Sequence, residues 1–195
     1  LKVEGRAFHV KLPTVQKKVK DMPEPQVVLD IIQGSNIELP AMLAIWLSFS
    51  LSEIRGIMCS SVRGDYIYID RVLVDVDGVP TLKETAKVDT RLRKHRIPEY
   101  IKSLIEEQET WKEYKKTGKD RPLINLTGSQ IRNRWQALCE NNGIQLSFHG
   151  LRHMNASIML MLNVPEKYAM ERGGWKTPHV MKTVYQHTFS RERET

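Results

Sequence analysis

Cysteine is scarce in this chain, since Cys59 and Cys139 are the only two among 195 residues. Each lies in an apolar or helical stretch of the sequence. Two cysteines cannot form a disulfide scaffold or a cysteine-rich zinc cluster, and their surroundings suit buried thiols in a reducing compartment. We therefore expect a cytoplasmic protein, associated with the nucleoid if it binds DNA.

Long apolar runs are also missing. The longest, residues 39–51, contains proline, serine and tryptophan and is too short to cross a bilayer. The first residues lack the pattern of a signal peptide, so no membrane partner is expected. Because residue 1 is Leu rather than Met, we expect the chain to be a piece of a longer protein.

Acidic residues are outnumbered by basic ones, 23 to 30, which gives a formal net charge of +7. Lysine and arginine side chains that neutralise phosphates release condensed counterions, so a basic balance favours a polyanionic partner. The hydrophobic content of 41% is that of a globular protein and argues against disorder.

The pattern along the chain predicts one folded domain over residues 26–195, preceded by a linker or strap over residues 1–25, which carries Pro13, Pro23 and Pro25. Alternating residues from Asp65 and the Asp77-Gly78 dipeptide predict a hairpin in a small antiparallel sheet that ends near Arg96. Helical periodicity and capping signals predict helices over residues 26–33, 38–56, 98–118, 127–143, 149–162, 165–171 and 178–187. The predicted fold class is α+β, mainly helical, with Trp46, Trp111 and Trp135 in the core.

Three groups of chemically active residues follow in order near the C-terminal end. Ser147-Phe-His149-Gly-Leu-Arg152-His153 opens a predicted helix, whose free N–H groups attract anions. Arg172-Gly-Gly-Trp175 predicts a turn, and Tyr185 follows about ten residues later on the next predicted helix.

This order, His-x-x-Arg, then Gly-Trp, then Tyr, resembles the C-terminal signature of the tyrosine site-specific recombinases, also called phage integrases. The resemblance implies that Tyr185 attacks the scissile DNA phosphate, giving a 3′-phosphotyrosyl link and a free 5′-hydroxyl. It also implies that Arg152 clamps the phosphate, that His149 accepts the proton of the nucleophile, and that the Trp175 indole N–H binds a phosphate oxygen. His153 is expected to support the site.

Two further positions of the family lie upstream. The lysine that protonates the leaving 5′-oxygen matches Lys87, with Lys83 and Lys94 as alternatives nearby. The family pattern Gly-Leu-Arg-x-Ser-Glu is matched by Ser48-Phe-Ser50-Leu-Ser-Glu53, so Ser50 stands where the first catalytic arginine is expected and Glu53 keeps a supporting position.

The Ser50 departure predicts an impaired enzyme, because the loss of one transition-state donor costs about 3–4 kcal/mol of barrier. Arg55 is five positions further along the same predicted helix and should face elsewhere, which makes it a poor substitute. Whether Ser50 is natural or introduced to stall the enzyme stays open.

A basic run near the predicted hairpin is the expected DNA-binding surface, although such a run is ordinarily a solvated face. The candidate DNA-binding residues are Arg91, Arg93, Lys94, Arg96 and Lys176. His149 and His153, one helical turn apart, would also fit a metal pair, but no third ligand is evident nearby and no metal is expected.

The resemblance implies double-stranded DNA as substrate, self-association as a tetramer on paired sites, and no metal or nucleotide cofactor, since the phosphotyrosine bond conserves the phosphodiester energy. Two alternatives remain. Ser50 is compatible with a DNA-binding module of the same fold that does not cleave, and a type IB topoisomerase shares the same chemistry.

Overall fold

The computed structural model describes residues 22–84 and 93–175. Within these residues, helices form most of the mass around two small antiparallel sheets. The helices are α1 (Pro25–Ile32), α2 (Glu38–Leu47), α3 (Leu51–Gly56), α4 (Glu99–Glu106), α5 (Glu109–Thr117), α6 (Gly128–Asn141), α7 (Phe148–Met161) and α8 (Glu166–Gly173). The strands are β1 (Val62–Arg63), β2 (Tyr66–Ile69), β3 (Arg71–Val76), β4 (Val79–Glu84) and β5 (Arg93–Arg96). The predicted α+β, mainly helical plan is confirmed.

Helix α2 lies at the centre of the main core. It is apolar over most of its surface because it packs against α7, α4 and α3 rather than against one neighbour. Leu43 and Leu47 are fully buried in it, and Trp135 from α6 is buried in the same core. Trp46 does not join them: its side chain is 46% exposed, so its prediction as a core residue is wrong.

The stretch predicted as one helix over residues 38–56 is broken in the structure. Helix α2 ends where Ser48 adopts a left-handed conformation at φ 60°, and Ser50 is extended before it begins α3. The Ser50 side chain accepts from the Glu53 N–H while Glu53 accepts from the Ser50 N–H, which is a capping box. The apolar periodicity is real, but this local capping chemistry divides the segment into two helices.

The two sheets lie one after the other in the sequence. Strands β1, β2 and β5 form one sheet, and β3 and β4 form the predicted hairpin around Asp77-Gly78, both at positive φ as a tight hairpin turn requires. Helix α3 lies directly on β3, because a Cβ on Gly56 would fall 2.6 Å from the carbonyl oxygen of Arg71. Strand β3 therefore fixes the position of α3.

The helical second half differs from prediction in one place. The helix predicted from Pro98 to Gly118 is divided into α4 and α5, because Gln108 is extended and its side chain caps the Leu104 carbonyl. Gly118 ends α5 at φ +70°, as predicted. The capping box predicted for Thr127 and Gln130 is confirmed at the start of α6.

The predicted helices over residues 149–162 and 165–171 correspond to α7 and α8. The helix predicted over residues 178–187 and most of the predicted linker over residues 1–25 lie outside the described residues. Among the described residues no helix is long and apolar enough to cross a membrane.

Candidate active site

The first turns of α7 carry the His-x-x-Arg motif. Ser147 caps the helix by accepting a hydrogen bond from the Gly150 N–H at 3.1 Å. Gly150 allows the chain before the helix to fold close, since a Cβ there would lie 2.5 Å from the Leu146 side chain. His149 and Arg152 thus project from the beginning of a capped helix.

Arg152 joins three separate segments of the chain. Its Nη1 donates to the carbonyl of Ser48 at 2.6 Å and to Oε2 of Glu53 at 3.3 Å, and its Nη2 donates to the carbonyl of Gly173. Its guanidinium carbon lies 5.3 Å from the centre of the Trp175 ring. The side chain is only 11% exposed, so these contacts hold the guanidinium in one orientation.

Glu53 is the carboxylate around which the site is organised. Its Oε2 accepts from Arg152 and from the Ser50 N–H, and its Oε1 accepts from Arg93 at 2.8 Å. Burial alone would raise the pKa of Glu53, but the charge and hydrogen bond of Arg93, the Ser50 N–H and the charge of Arg152 together hold that pKa below its usual value. Glu53 is therefore a fixed negative charge between two arginines.

Ser50 has a structural role at its position. Its hydroxyl donates to Oε2 of Glu53 at 2.8 Å, in addition to the backbone capping contacts. It places no positive charge in the site. Arg55, as predicted, points elsewhere: it is buried and forms a bidentate pair with Asp75 of β3, at 3.0 and 2.9 Å.

His149 and His153 stack edge to face, with ring centres 4.5 Å apart. Desolvation and the positive charge of Arg152 lower the pKa of His149, and desolvation, the neighbouring His149 and the charge of Arg152 lower the pKa of His153 to about 4. Both imidazoles are neutral near pH 7, so His149 is in the form that can accept a proton. The described residues contain no group of three or more His, Cys, Asp or Glu side chains that could hold a metal.

The predicted turn after α8 is confirmed. Gly174 ends the helix at φ +63°, and the Trp175 N–H donates to the carbonyl of Met170 at 3.0 Å. The Trp175 ring lies against Gly173, where a Cβ would fall 2.5 Å from ring carbons. Because neither Gly173 nor Gly174 has a Cβ, the Trp175 ring can lie against the first and the Arg93 guanidinium against the second.

The basic run splits into two faces on β5. Lys94 and Arg96 are exposed, and Lys94 lies 5.0 Å from the centre of the Tyr66 ring. Arg93 and His95 instead face inward: the Arg93 side chain is 8% exposed and pairs with Glu53, and His95 is buried against Phe49. The sequence grouped Arg93 with the DNA-binding surface, whereas its side chain lies inside the site.

Several predicted site residues lie outside the described residues: Tyr185, Lys87, Arg91 and Lys176. Of the remainder, the structure brings together Ser50, Glu53, Arg152 and Trp175 from α3, α7 and the turn after α8, with His149 and His153 on the adjoining helical turn. Sequence reasoning missed Ser48 and Gly173, which contribute backbone carbonyls, and the inward face of Arg93. Only strand alternation toward buried His95 gave a signal for Arg93.

The comparison with known families decides the identity of this fold. The model of the phage integrase family matches residues 51–192, well over half of the chain. This chain belongs to the phage integrase family.

Solved structures of tyrosine recombinases share its fold. The Tn1549 transposon integrase in complex with transposon right-end DNA has a TM-score of 0.72 at 16% identity, with 94% of this chain and 67% of that chain covered. The XerA recombinase has a TM-score of 0.66 at 13% identity, covering 91% and 63%. The XerH site-specific recombinase, bound to a palindromic difH substrate in a post-cleavage complex, has a TM-score of 0.64 at 14% identity. The match covers 94% of this chain and 54% of the XerH chain.

These likenesses confirm the catalytic-domain fold of the tyrosine recombinases. No curated protein sequence matches the chain significantly. This chain spans about two thirds of the length of the Tn1549 integrase chain, and a smaller share of the length of the XerA and XerH chains. Family and fold together imply site-specific DNA recombination.

Proposed function

We propose that this chain cleaves and rejoins DNA at a specific site through a covalent 3′-phosphotyrosine intermediate on Tyr185. The observation that carries the proposal is the fixed guanidinium of Arg152, held by Ser48, Glu53 and Gly173 beside the Trp175 ring. A planar cation held in one orientation before substrate arrives suits a phosphate that gains negative charge in the transition state.

The proposed step is a phosphoryl transfer. The Tyr185 oxygen forms a bond to phosphorus, the bond from phosphorus to the 5′-oxygen breaks, and the phosphodiester energy is kept in the phosphotyrosine. His149 takes the phenol proton in its neutral form, and Lys87 gives a proton to the leaving 5′-oxygen. Attack of a 5′-hydroxyl from a partner strand reverses the step and rejoins the DNA.

Arg152 and Trp175 act on the phosphate itself. Arg152 donates to its non-bridging oxygens, and the indole N–H of Trp175 adds a neutral donor. Trp175 is held by its backbone hydrogen bond to Met170 and by the contact of its ring with Gly173, so the indole has a defined position. Both groups bind the charge-rich transition state more strongly than the ground state.

The proposed substrate is double-stranded DNA, acted on by a tetramer at paired sites without a metal or nucleotide. The side chains of Lys94 and Arg96 are exposed on one face of β5, which supports contacts from this face to the phosphate backbone of the DNA. Arg91 and Lys176 are proposed to extend this surface. Integration or excision of a mobile element or prophage is the biological task that fits such an enzyme.

Ser50 supplies no cation, and this single observation favours a second candidate function, a DNA-binding module that does not cleave. The impairment predicted from the sequence remains a prediction, and its size depends on whether another guanidinium reaches the same phosphate.

A trapping experiment tests the proposal. The chain, with any native flanking sequence retained, is incubated with nicked suicide DNA carrying the junction of its own genetic element, and denaturation-resistant adducts are counted. We expect an adduct with the chain as given and none with Tyr185→Phe, with equal DNA binding by both. Tight binding without an adduct, in the chain and in Ser50→Arg alike, would support the non-cleaving module instead.

A further inference from the structure

A second guanidinium lies in the same site as Arg152. Arg93, carried by β5, donates from Nη1 to Oε1 of Glu53 at 2.8 Å, while Arg152 donates to Oε2 of the same carboxylate at 3.3 Å. Both side chains are nearly buried, at 8% and 11% exposure. One carboxylate therefore holds two arginines side by side, and the trio keeps a net positive charge.

The guanidinium of Arg93 lies near the segment around Ser50, where the first catalytic arginine of the family is absent. Its guanidinium carbon lies 5.7 Å from the centre of the Phe49 ring, one residue before Ser50. Glu53, its ion-pair partner, is also the partner of the Ser50 hydroxyl and N–H. Ser50 and the head group of Arg93 thus contact the two oxygens of the same carboxylate.

The surroundings orient Arg93 as closely as they orient Arg152. Its Nε donates to Nε2 of His95 at 3.2 Å, and burial with the nearby charge of Arg93 lowers the pKa of His95 to about 3, so the ring is a neutral acceptor. Gly174 makes room for it, because a Cβ there would lie 2.5 Å from Nη1 of Arg93. The turn that carries Trp175 is therefore shaped to admit this guanidinium.

One donor of Arg93 has no protein acceptor among the described residues. Its Nη2 is buried and makes no hydrogen bond within residues 22–84 and 93–175. A buried charged N–H without a partner costs free energy, and an anion or a water molecule that accepts from it removes that cost. A DNA phosphate bound at Arg152 and Trp175 would have the right charge and chemistry to accept from it.

We propose that Arg93 supplies the phosphate-binding guanidinium that Ser50 does not, so that Arg93 and Arg152 clamp the scissile phosphate together. This inference rests on the proposed strand-cleavage function. Arg93 is then a catalytic residue recruited from β5 rather than from α3, and Ser50 marks a relocated cation rather than a missing one.

A purely structural alternative exists, in which Arg93 only neutralises Glu53. Two variants separate the roles. Arg93→Lys keeps a positive charge for Glu53 but loses the planar fork, and Arg93→Gln removes the charge. The matched control is Lys112→Gln, which removes one exposed charge whose ion pair within the described part of the chain is with Glu109.

The rate of adduct formation on suicide DNA is measured together with DNA affinity and thermal unfolding. We expect Arg93→Gln to slow adduct formation by about 10²- to 10³-fold, as for other single transition-state donors. Arg93→Lys should slow it at least about tenfold, because a point charge does not replace a bidentate donor. Lys112→Gln should form adduct at the rate of the unmodified chain.

Two rescues separate contact with phosphate from support of the fold. The double variant Ser50→Arg/Arg93→Gln should recover at least about tenfold of the lost rate, since it returns a guanidinium to the other side of Glu53. A DNA substrate with a neutral methylphosphonate at the scissile position should shrink the Arg93→Gln defect, because less charge then needs to be neutralised. A structural defect responds to neither change.

The outcomes distinguish this inference from the proposed function. If the unmodified chain forms adduct and both Arg93 variants match it, Arg93 is not catalytic and the cleavage function stands. If the Arg93 variants are slow but neither rescue acts, Arg93 supports the fold only and the inference is overturned. If neither the unmodified chain nor Ser50→Arg forms adduct despite tight binding, the cleavage function itself fails.

Discussion

The Nη1 group of Arg152 donates a hydrogen bond to the backbone carbonyl of Ser48 at 2.6 Å, across a separation of 104 residues. This carbonyl is available because Ser48 adopts a left-handed conformation at the end of α2, which breaks the helix and turns the peptide away from its axis. A local backbone feature of the first half of the chain thereby orients the main cation of the second half.

The left-handed conformation of Ser48 predicts that Ser48→Gly stabilises the protein. A residue with a Cβ is disfavoured at this φ by about 1–2 kcal/mol, and glycine removes that cost together with a buried Ser48 hydroxyl that has no partner among the described residues. We expect the free energy of unfolding to rise by about 1 kcal/mol in a urea titration. The control Ser52→Gly, within right-handed α3, should lower it by about 0.5 kcal/mol; a change of the same sign at both positions would argue against this effect of Ser48.

Glu53 predicts a pH-dependent contribution to stability. Removing one partner from a buried ion pair costs about 3–5 kcal/mol, so Glu53→Gln should be less stable by roughly that amount at pH 7. The pKa of Glu53 is lowered on folding, so its contribution is complete above the unfolded value of 4.5 and is lost as pH falls through the folded pKa.

The measurement is the difference in unfolding free energy between the chain and Glu53→Gln at several pH values. The difference should be constant above about pH 5 and should narrow as the solution becomes more acidic. A difference that grows with acidification would mean that the carboxyl is protonated in the folded protein.

The close approach of α3 and β3 predicts that Gly56→Ala is destabilising. The added Cβ would lie 2.6 Å from the Arg71 carbonyl oxygen and 2.8 Å from Cα of Val72, so backbone must move. We expect a loss of about 2–3 kcal/mol. Gly118→Ala is the comparison, because its Cβ meets nothing within 4 Å. Its only cost is the φ of +70°, which should destabilise the protein by about 1 kcal/mol. Thermal unfolding should rank Gly56→Ala well below Gly118→Ala.

The lowered pKa of His149 predicts the pH below which the rate of DNA cleavage falls. Because desolvation and Arg152 lower its pKa from 6.5, the imidazole stays neutral and able to accept a proton below that pH. Adduct formation should therefore begin to fall only below pH 6.5, and His149→Gln should slow it by about 10²- to 10⁴-fold. DNA binding is measured at each pH, and an acid limb centred above 6.5 would argue against His149 as the proton acceptor.

Much of the fold followed from the sequence because its signals are local. The Thr127 capping box and the Asp77-Gly78 turn each depend on residues within one turn of the chain, and both are confirmed. Apolar periodicity placed α2 but not its end, because Ser48 and Ser50 break the helix through backbone conformation and side-chain capping that periodicity does not record.

The candidate site was partly predictable for a different reason. The motif around His149 and Arg152 and the turn at Trp175 could be found because their spacing resembles that of a known family. Arg93 could not be assigned, since its ion pair with Glu53 spans 40 residues and depends on how β5 packs against α3. Long-range pairing of this kind is set by tertiary packing rather than by any local pattern.

Peptide mapping of the trapped adduct tests whether Tyr185 forms the covalent bond to DNA. Trypsin cleaves after Lys182 and Arg191, so the nucleophile falls on a short peptide that contains no other tyrosine. Mass spectrometry after nuclease digestion should find the 3′-linked nucleotide on this peptide, at Tyr185, and on no other tyrosine of the chain. A nucleotide on a different residue, or its absence from every peptide despite tight DNA binding, would contradict the account.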